Sequence, residues 1–158
     1  MKFTYLKTPI NKYTFKSAKI REWVESRCIG LTLNTFAGQT KLNINEYRVD
    51  IDPTAISDSN MDIIDFVSII NSNPYITYLL DPPYSLRKSM EFYNGNKMSR
   101  FNHLKNLIAE RKPERVITFG YQSVSMGVNR GYKQSEICLM NHGGAIHDTI
   151  AIVEDRIR

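Results

Sequence analysis

This sequence predicts an α/β fold built on a mostly parallel sheet, with one antiparallel strand supplied by a C-terminal hairpin. Three observations carry that expectation. Short apolar runs alternate with stretches of helical periodicity. Two apolar runs near the C-terminus flank Asn141-His142-Gly143-Gly144, a glycine turn suited to a hairpin. The run Ile76-Thr77-Tyr78-Leu79-Leu80 stops abruptly at Asp81-Pro82-Pro83-Tyr84. Two prolines remove two backbone donors and fix two φ angles, so this loop is stiff and its carbonyls are left to accept. A carboxylate and an aromatic ring are thereby held at the carboxyl end of a strand, the edge where open α/β sheets bind ligands.

Taken in order, residues 14–27 bring Phe15, Ile20, Trp23 and Val24 near one helical face. Ile29–Asn34 reads as the first strand, followed by the loop Thr35-Phe36-Ala37-Gly38-Gln39-Thr40. Glu46–Ile51 alternates like a second strand and ends among Asp50, Asp52 and Pro53. Residues 62–71 suit a helix, with Asp62 at its start where a carboxylate complements the dipole. Helices are expected over 85–93 and 101–111, a strand over 115–119 and a short helix over 121–128. Glu136–Met140 and Thr149–Val153 form the closing hairpin. Residues 39–45 are too few for the helix that normally links parallel strands. A reduced version of the doubly wound fold is therefore expected, with that first helix missing or cut to a turn.

With 158 residues the chain predicts a single domain, 1–158, that includes a basic N-terminal arm over 1–13. Apolar content of 42% and charged content of 23% place it among soluble globular proteins. No apolar run approaches the ~20 residues of a membrane span, and the N-terminus lacks a signal-peptide core, so an intracellular location is expected. Cys28 and Cys138 have no CxxC partner and read as buried free thiols. His142 and His147 lack companions at metal spacing, so no metal is expected. A net charge of +5 suits a polyanionic partner. Basic residues gather in the N-terminal arm and again at Arg87, Lys88, Lys97, Arg100 and Lys105.

In their order along the chain, Asn34-Thr35-Phe36-Ala37-Gly38, Val49-Asp50-Ile51-Asp52-Pro53, Asn60-Met61-Asp62 and Asp81-Pro82-Pro83-Tyr84 resemble the motifs of class I S-adenosylmethionine-dependent methyltransferases. DPPY is similar to the signature of amino-methyltransferases, above all the DNA adenine-N6 enzymes. LNTFAGQTKL, DPPYSLRKSMEFYNG, ITFGYQSVSMG and NHGGAIHDTIAIVE further resemble a small archaeal and viral group of such proteins. The likeness spans most of residues 14–155 and implies a reduced Rossmann-like fold, S-adenosylmethionine as cofactor and a nucleic acid, DNA first, as partner. A viral member would act in the host cytoplasm.

By position, the resemblance sets Asn34, Phe36, Ala37 and Gly38 near the methionine end of the cofactor. Gly38 also suits a close backbone approach and an unusual φ. Where the family's loop carries further glycines, Gln39 and Thr40 stand here. Asp50 matches the acid that bonds the ribose hydroxyls; Asp52 could substitute, and either could be a solvated turn acid. Asp62 with the Met61 backbone matches the pair near the adenine amino group, or serves as a helix-start acid. Asp81, Pro82, Pro83 and Tyr84 would hold the target amino nitrogen, and Asp81 also borders the cofactor. Ser85, Arg87, Lys88 and Arg100 are candidate nucleic-acid contacts. Little chain remains for reading a target, which leaves short loops, the basic arm or the second subunit of a homodimer. RNA, guanine N2 or a glutamine amide are alternative substrates, and a non-catalytic nucleic-acid-binding module is the alternative of another class.

Overall fold

Ser17, Asp62 and Ser99 each begin a helix by accepting a backbone N–H from within the first turn, at Ile20 (3.5 Å), Ile64 (2.8 Å) and Asn102 (3.1 Å). The computed structural model describes residues 1–83, 99–144 and 147–158. The expected helix over 85–93, and with it Tyr84, Ser85, Arg87 and Lys88, lies outside the described residues. The described elements are β1 (Lys2–Lys7), α1 (Ala18–Glu25), β2 (Thr32–Asn34), β3 (Glu46–Asp50), β4 (Ser59–Asn60) and α2 (Ile63–Ile69). They continue with β5 (Thr77–Leu80), α3 (Arg100–Arg111), β6 (Arg115–Gly120), β7 (Tyr132–Asn141) and β8 (Thr149–Arg156). Short 3-10 turns occur at Thr14–Lys16 and Val128–Arg130.

Among the described residues the eight strands form one sheet in the order β1-β7-β8-β6-β5-β2-β3-β4. Strand β8 runs antiparallel to both β6 and β7, and the remaining pairings are parallel. Alternation along the central strands divides the core between the two faces of the sheet. Leu79 faces α1 and packs in one cluster with Trp23, Val24, Ile117, Phe119 and Val153. Its neighbours Tyr78 and Leu80 face the other way, into a cluster with Ile64, Val67, Leu104 and Ile108 of α2 and α3. A sheet covered on both faces makes its central strands apolar throughout, as TYLL is.

The expected shortfall after the first strand is present: β2 and β3 pair in parallel, yet residues 35–45 contain no helix. From β2 the chain proceeds outward through β3 to β4, then returns to β5 on the other side of β2 and continues to β6. The carboxyl ends of β2 and β5 therefore flank a topological switch point, where an open α/β sheet leaves a crevice. Among the described residues no helix is long and apolar enough to cross a membrane.

Two features depart from expectation. Within the basic arm, Lys2–Lys7 forms an edge strand pairing with Glu136–Asn141. Phe3 and Tyr5 are 65% and 56% exposed, so this strand lacks the buried apolar alternation that announces one. The expected helix over 121–128 is instead an irregular segment. Gly127 there has φ 72°, and the fully buried Glu154 carboxylate accepts Met126 N–H at 2.7 Å and Gly127 N–H at 2.9 Å. Two backbone donors taken up by one carboxylate are not available for the i→i−4 bonds that a helix over 121–128 would need.

Candidate cofactor and substrate cavity

Strands β2 and β5 are tied together just beyond their ends. Thr35 donates its N–H (3.0 Å) and its hydroxyl (2.9 Å) to the Leu79 carbonyl, which sets the Phe36-Ala37-Gly38 loop beside Asp81. The cavity that results has a volume of about 850 Å³. Its walls hold Thr35–Thr40 from the first loop, Asp50–Asp52 from the end of β3, Asp62–Ile64 from the start of α2, and Asp81-Pro82-Pro83 after β5. Lys12–Phe15, Arg100 and Tyr121 complete it. Motifs separated by as many as 45 positions, from Phe36 to Asp81, thus meet around one space, within the size range of small-molecule sites.

Gly38 has φ 61°, and an added Cβ would meet nothing within 4 Å, so conformation rather than crowding calls for glycine here. Asp50 holds this loop: its Oδ2 accepts Gly38 N–H at 2.8 Å, and its Oδ1 accepts Asp52 N–H at 2.9 Å. Asp52 is occupied locally by the Thr54 N–H and hydroxyl, at 2.9 and 2.8 Å, and these hydrogen bonds hold its carboxyl below the usual carboxylate range. Asp50 is the half-buried acid of the two and the one bonded to the loop, so its remaining lone pairs are the better placed for a ribose.

Asp62 and Arg100, expected to meet different ligands, meet each other. Asp62 Oδ1 caps α2 through Ile64 N–H, while Oδ2 accepts from Arg100 Nη2 at 2.6 Å. Asn34 and Met61 do not line the cavity. Asn34 is fully buried and donates to Glu46 Oε2 at 3.0 Å, and Met61 N–H donates to the Asp50 carbonyl at 3.1 Å. Cys28 is half-buried and Cys138 buried, both free, and burial pushes their thiols up to about 11 and about 12, which keeps them protonated at neutral pH. His142 is a buried hairpin residue, its ring nitrogens meeting Thr8 O at 3.0 Å and Thr149 Oγ1 at 2.9 Å.

Sequence reasoning missed Lys12–Phe15 as cavity residues and favoured a core-packing helix over a pocket lining for Tyr121. One local signal was available: Tyr13 stands between two lysines, and the Lys12 and Lys16 ammonium groups lie 5.4 and 5.3 Å from its ring centroid. That Phe15 also reaches the cavity follows from α1 packing across the sheet and could not be read locally.

No protein-family model matches the chain, and no curated protein matches it by sequence. Solved structures do. The fold is similar to that of yhhF from Escherichia coli, whose own assignment as a methyltransferase is provisional, with a TM-score of 0.56. The chain has a methyltransferase-type Rossmann-like fold. That match covers 95% of this chain and 88% of yhhF at 12% identity. HI0767 from Haemophilus influenzae, provisionally a methylase, matches with a TM-score of 0.55 and 13% identity, over 89% of this chain and 88% of that one. At such identities the likeness concerns the fold alone.

The residues present suit S-adenosylmethionine. A glycine loop, an acid at the end of the next strand and an acid at the start of the following helix share one cavity, in the chain order of the resemblance. Carboxylates at Asp50 and Asp62 are acceptors for hydroxyl and amino hydrogens, the chemistry a ribose and an adenine present.

Proposed function

We propose that this chain is an S-adenosylmethionine-dependent methyltransferase acting on an exocyclic amino nitrogen of a nucleic-acid base, with adenine N6 in DNA as the leading substrate. One observation carries the reading: Asp81-Pro82-Pro83 lies at the switch point, in the wall of the same cavity as Gly38 and Asp50. When bound, the cofactor supplies an electrophilic methyl group. The protein must then improve a poor nucleophile, because the lone pair of such a nitrogen is delocalised into the base. The Asp81 carboxylate and the Pro82 carbonyl can each accept one amino hydrogen, which favours pyramidal nitrogen and directs its lone pair. Both bonds strengthen as the nitrogen gains positive charge, so they stabilise the transition state more than the ground state. Pro83 stiffens the turn, and Tyr84 would stack on a base turned out of its helix. Exposed Lys12 and Tyr13 at the cavity wall, with Lys16 against the Tyr13 ring, offer cations and a ring to a phosphate-bearing strand.

The deciding experiment is transfer of a labelled methyl group to DNA, RNA and protein in parallel, followed by nucleoside analysis. Label in N6-methyladenine of DNA supports the reading. Label in RNA, guanine N2 or a glutamine amide would move the substrate, and nucleic-acid binding with no transfer would leave a binding module. Asp50→Ala is expected to weaken cofactor binding by about 1.5–3 kcal/mol, roughly 10- to 100-fold, in a calorimetric titration. An unchanged dissociation constant would remove Asp50 from the ribose role.

A further inference from the structure

In a doubly wound fold the loop after the first strand runs into a helix, and the first peptide N–H groups of that helix face the ligand. No such helix follows β2 here, so something else must hold the loop's peptides in order. Arg48 of β3 lies beneath them, 3% exposed. Its Nε donates to the Ile56 carbonyl at 2.6 Å. Its Nη1 donates to the Thr40 carbonyl at 2.8 Å and to Glu46 Oε1 at 2.6 Å. Its Nη2 donates to the Ala37 and Gly38 carbonyls at 2.7 and 3.2 Å. These acceptors use all five N–H bonds of the guanidinium.

The Glu46 side chain is buried too, and it also accepts Leu42 N–H and the Asn34 amide, each at 3.0 Å. Charge is thus offset within the pair, and what reaches the loop is peptide orientation. A trans peptide points its C=O and N–H in opposite directions. Drawing the Gly38 carbonyl down to Arg48 turns the Gln39 N–H away from it. Gly38, Gln39 and Thr40 line the cavity and Arg48 does not, so the loop stands between the two.

We propose that Arg48, held by Glu46, is the positioning residue of the methyl-donor loop, replacing the absent helix by fixing peptides 37–40 and presenting the Gln39 N–H to the carboxylate end of the cofactor. The proposal rests on the methyltransferase reading above. Arg48→Lys keeps the charge but loses the planar fork. It is expected to raise the S-adenosylmethionine dissociation constant about tenfold or more and to speed amide exchange across residues 37–42, with β5 and β6 as protected as in the native chain. The double variant Arg48→Met with Glu46→Leu replaces a buried ion pair by apolar groups, an exchange that is often neutral for stability. Here, however, the Ala37, Thr40 and Ile56 carbonyls, the Leu42 N–H and the Asn34 amide also lose partners, so it should melt below the native protein and, while folded, show the same loss of cofactor. A folded variant of either kind that binds S-adenosylmethionine as tightly as the native chain overturns the proposal. If the native chain takes up no S-adenosylmethionine, the methyltransferase reading falls by itself. Amide exchange then decides the positioning role: unchanged protection of residues 37–42 in Arg48→Lys overturns it, and faster exchange there supports it.

Discussion

Asp81→Ala is expected to lower the methyl-transfer rate by roughly 10²–10³-fold while cofactor affinity changes little. The asymmetry follows from where Asp81 stands. It directly follows β5 at the switch point, half-buried in the cavity wall, whereas Gly38 is held by Asp50. On the proposed reading its carboxylate acts on the substrate nitrogen, so its loss should appear in turnover more than in cofactor binding. Asp81→Asn refines the point. It keeps one acceptor oxygen but loses the charge that answers the developing positive nitrogen, so its rate should fall nearly as far. Single-turnover rates with saturating cofactor, beside calorimetric binding, separate the two effects. An Asp81→Ala protein that turns over at the native rate would take Asp81 out of the mechanism.

How far the chain could be read in advance depended on whether a signal was local. Glu46–Asp50, Thr77–Leu80 and Arg115–Gly120 fall within a residue of the expected strands, because the first alternates and the other two are short, largely apolar or β-branched runs, each closed by a turn. The missing helix after β2 was legible from chain length alone. Strand β1 was not, since its aromatics face solvent and its pairing with β7 spans more than 130 positions. Arg48 was hidden for a related reason. In an alternating strand a charged residue reads as the solvent side, yet this sheet has cover on both faces, and Arg48 and Val49 are both buried. In the cavity, Phe36-Ala37-Gly38, Asp50 and Asp81-Pro82-Pro83 carry compact motifs. Lys12–Phe15 arrive there through the packing of α1, which no motif announces, and Tyr121 through the irregular course of residues 121–127, where a helix was expected.

Glu136→Ala should be among the most destabilising single changes in the protein, because one buried carboxylate joins three elements. Glu136 on β7 accepts from Arg27 Nε (2.6 Å) and Nη2 (3.0 Å), from Trp23 Nε1 of α1 (3.0 Å) and from Thr4 of β1 (2.6 Å). Burial by itself would raise its pKa, but the hydrogen bonds from Arg27, Thr4 and Trp23 outweigh burial and hold it at about 2. A fall from the ordinary 4.5 to about 2 corresponds to about 3 kcal/mol of stability at neutral pH. That contribution is fully present above about pH 5 and is lost as pH falls from there through about 2, since the unfolded chain takes up the proton first. Removing the carboxylate also leaves the Trp23 and Arg27 donors unanswered, so the expected cost is about 3–5 kcal/mol, a fall in Tm of roughly 6–20 °C. Glu136→Gln keeps an acceptor but not the charge, and its stability should vary less between pH 5 and pH 2 than that of the native protein. The consequence reaches the cavity. The wall segment Lys12–Phe15 lies between β1 and α1, the two elements that Glu136 fastens to β7, and Thr8 and Ser17 share a hydroxyl bond of 2.6 Å across its base. On the proposed reading, a Glu136→Gln protein that stays folded at pH 7 should therefore show a higher KM for nucleic acid at nearly unchanged kcat. An unchanged KM together with a native pH profile would mean that β1 and α1 are anchored without this carboxylate.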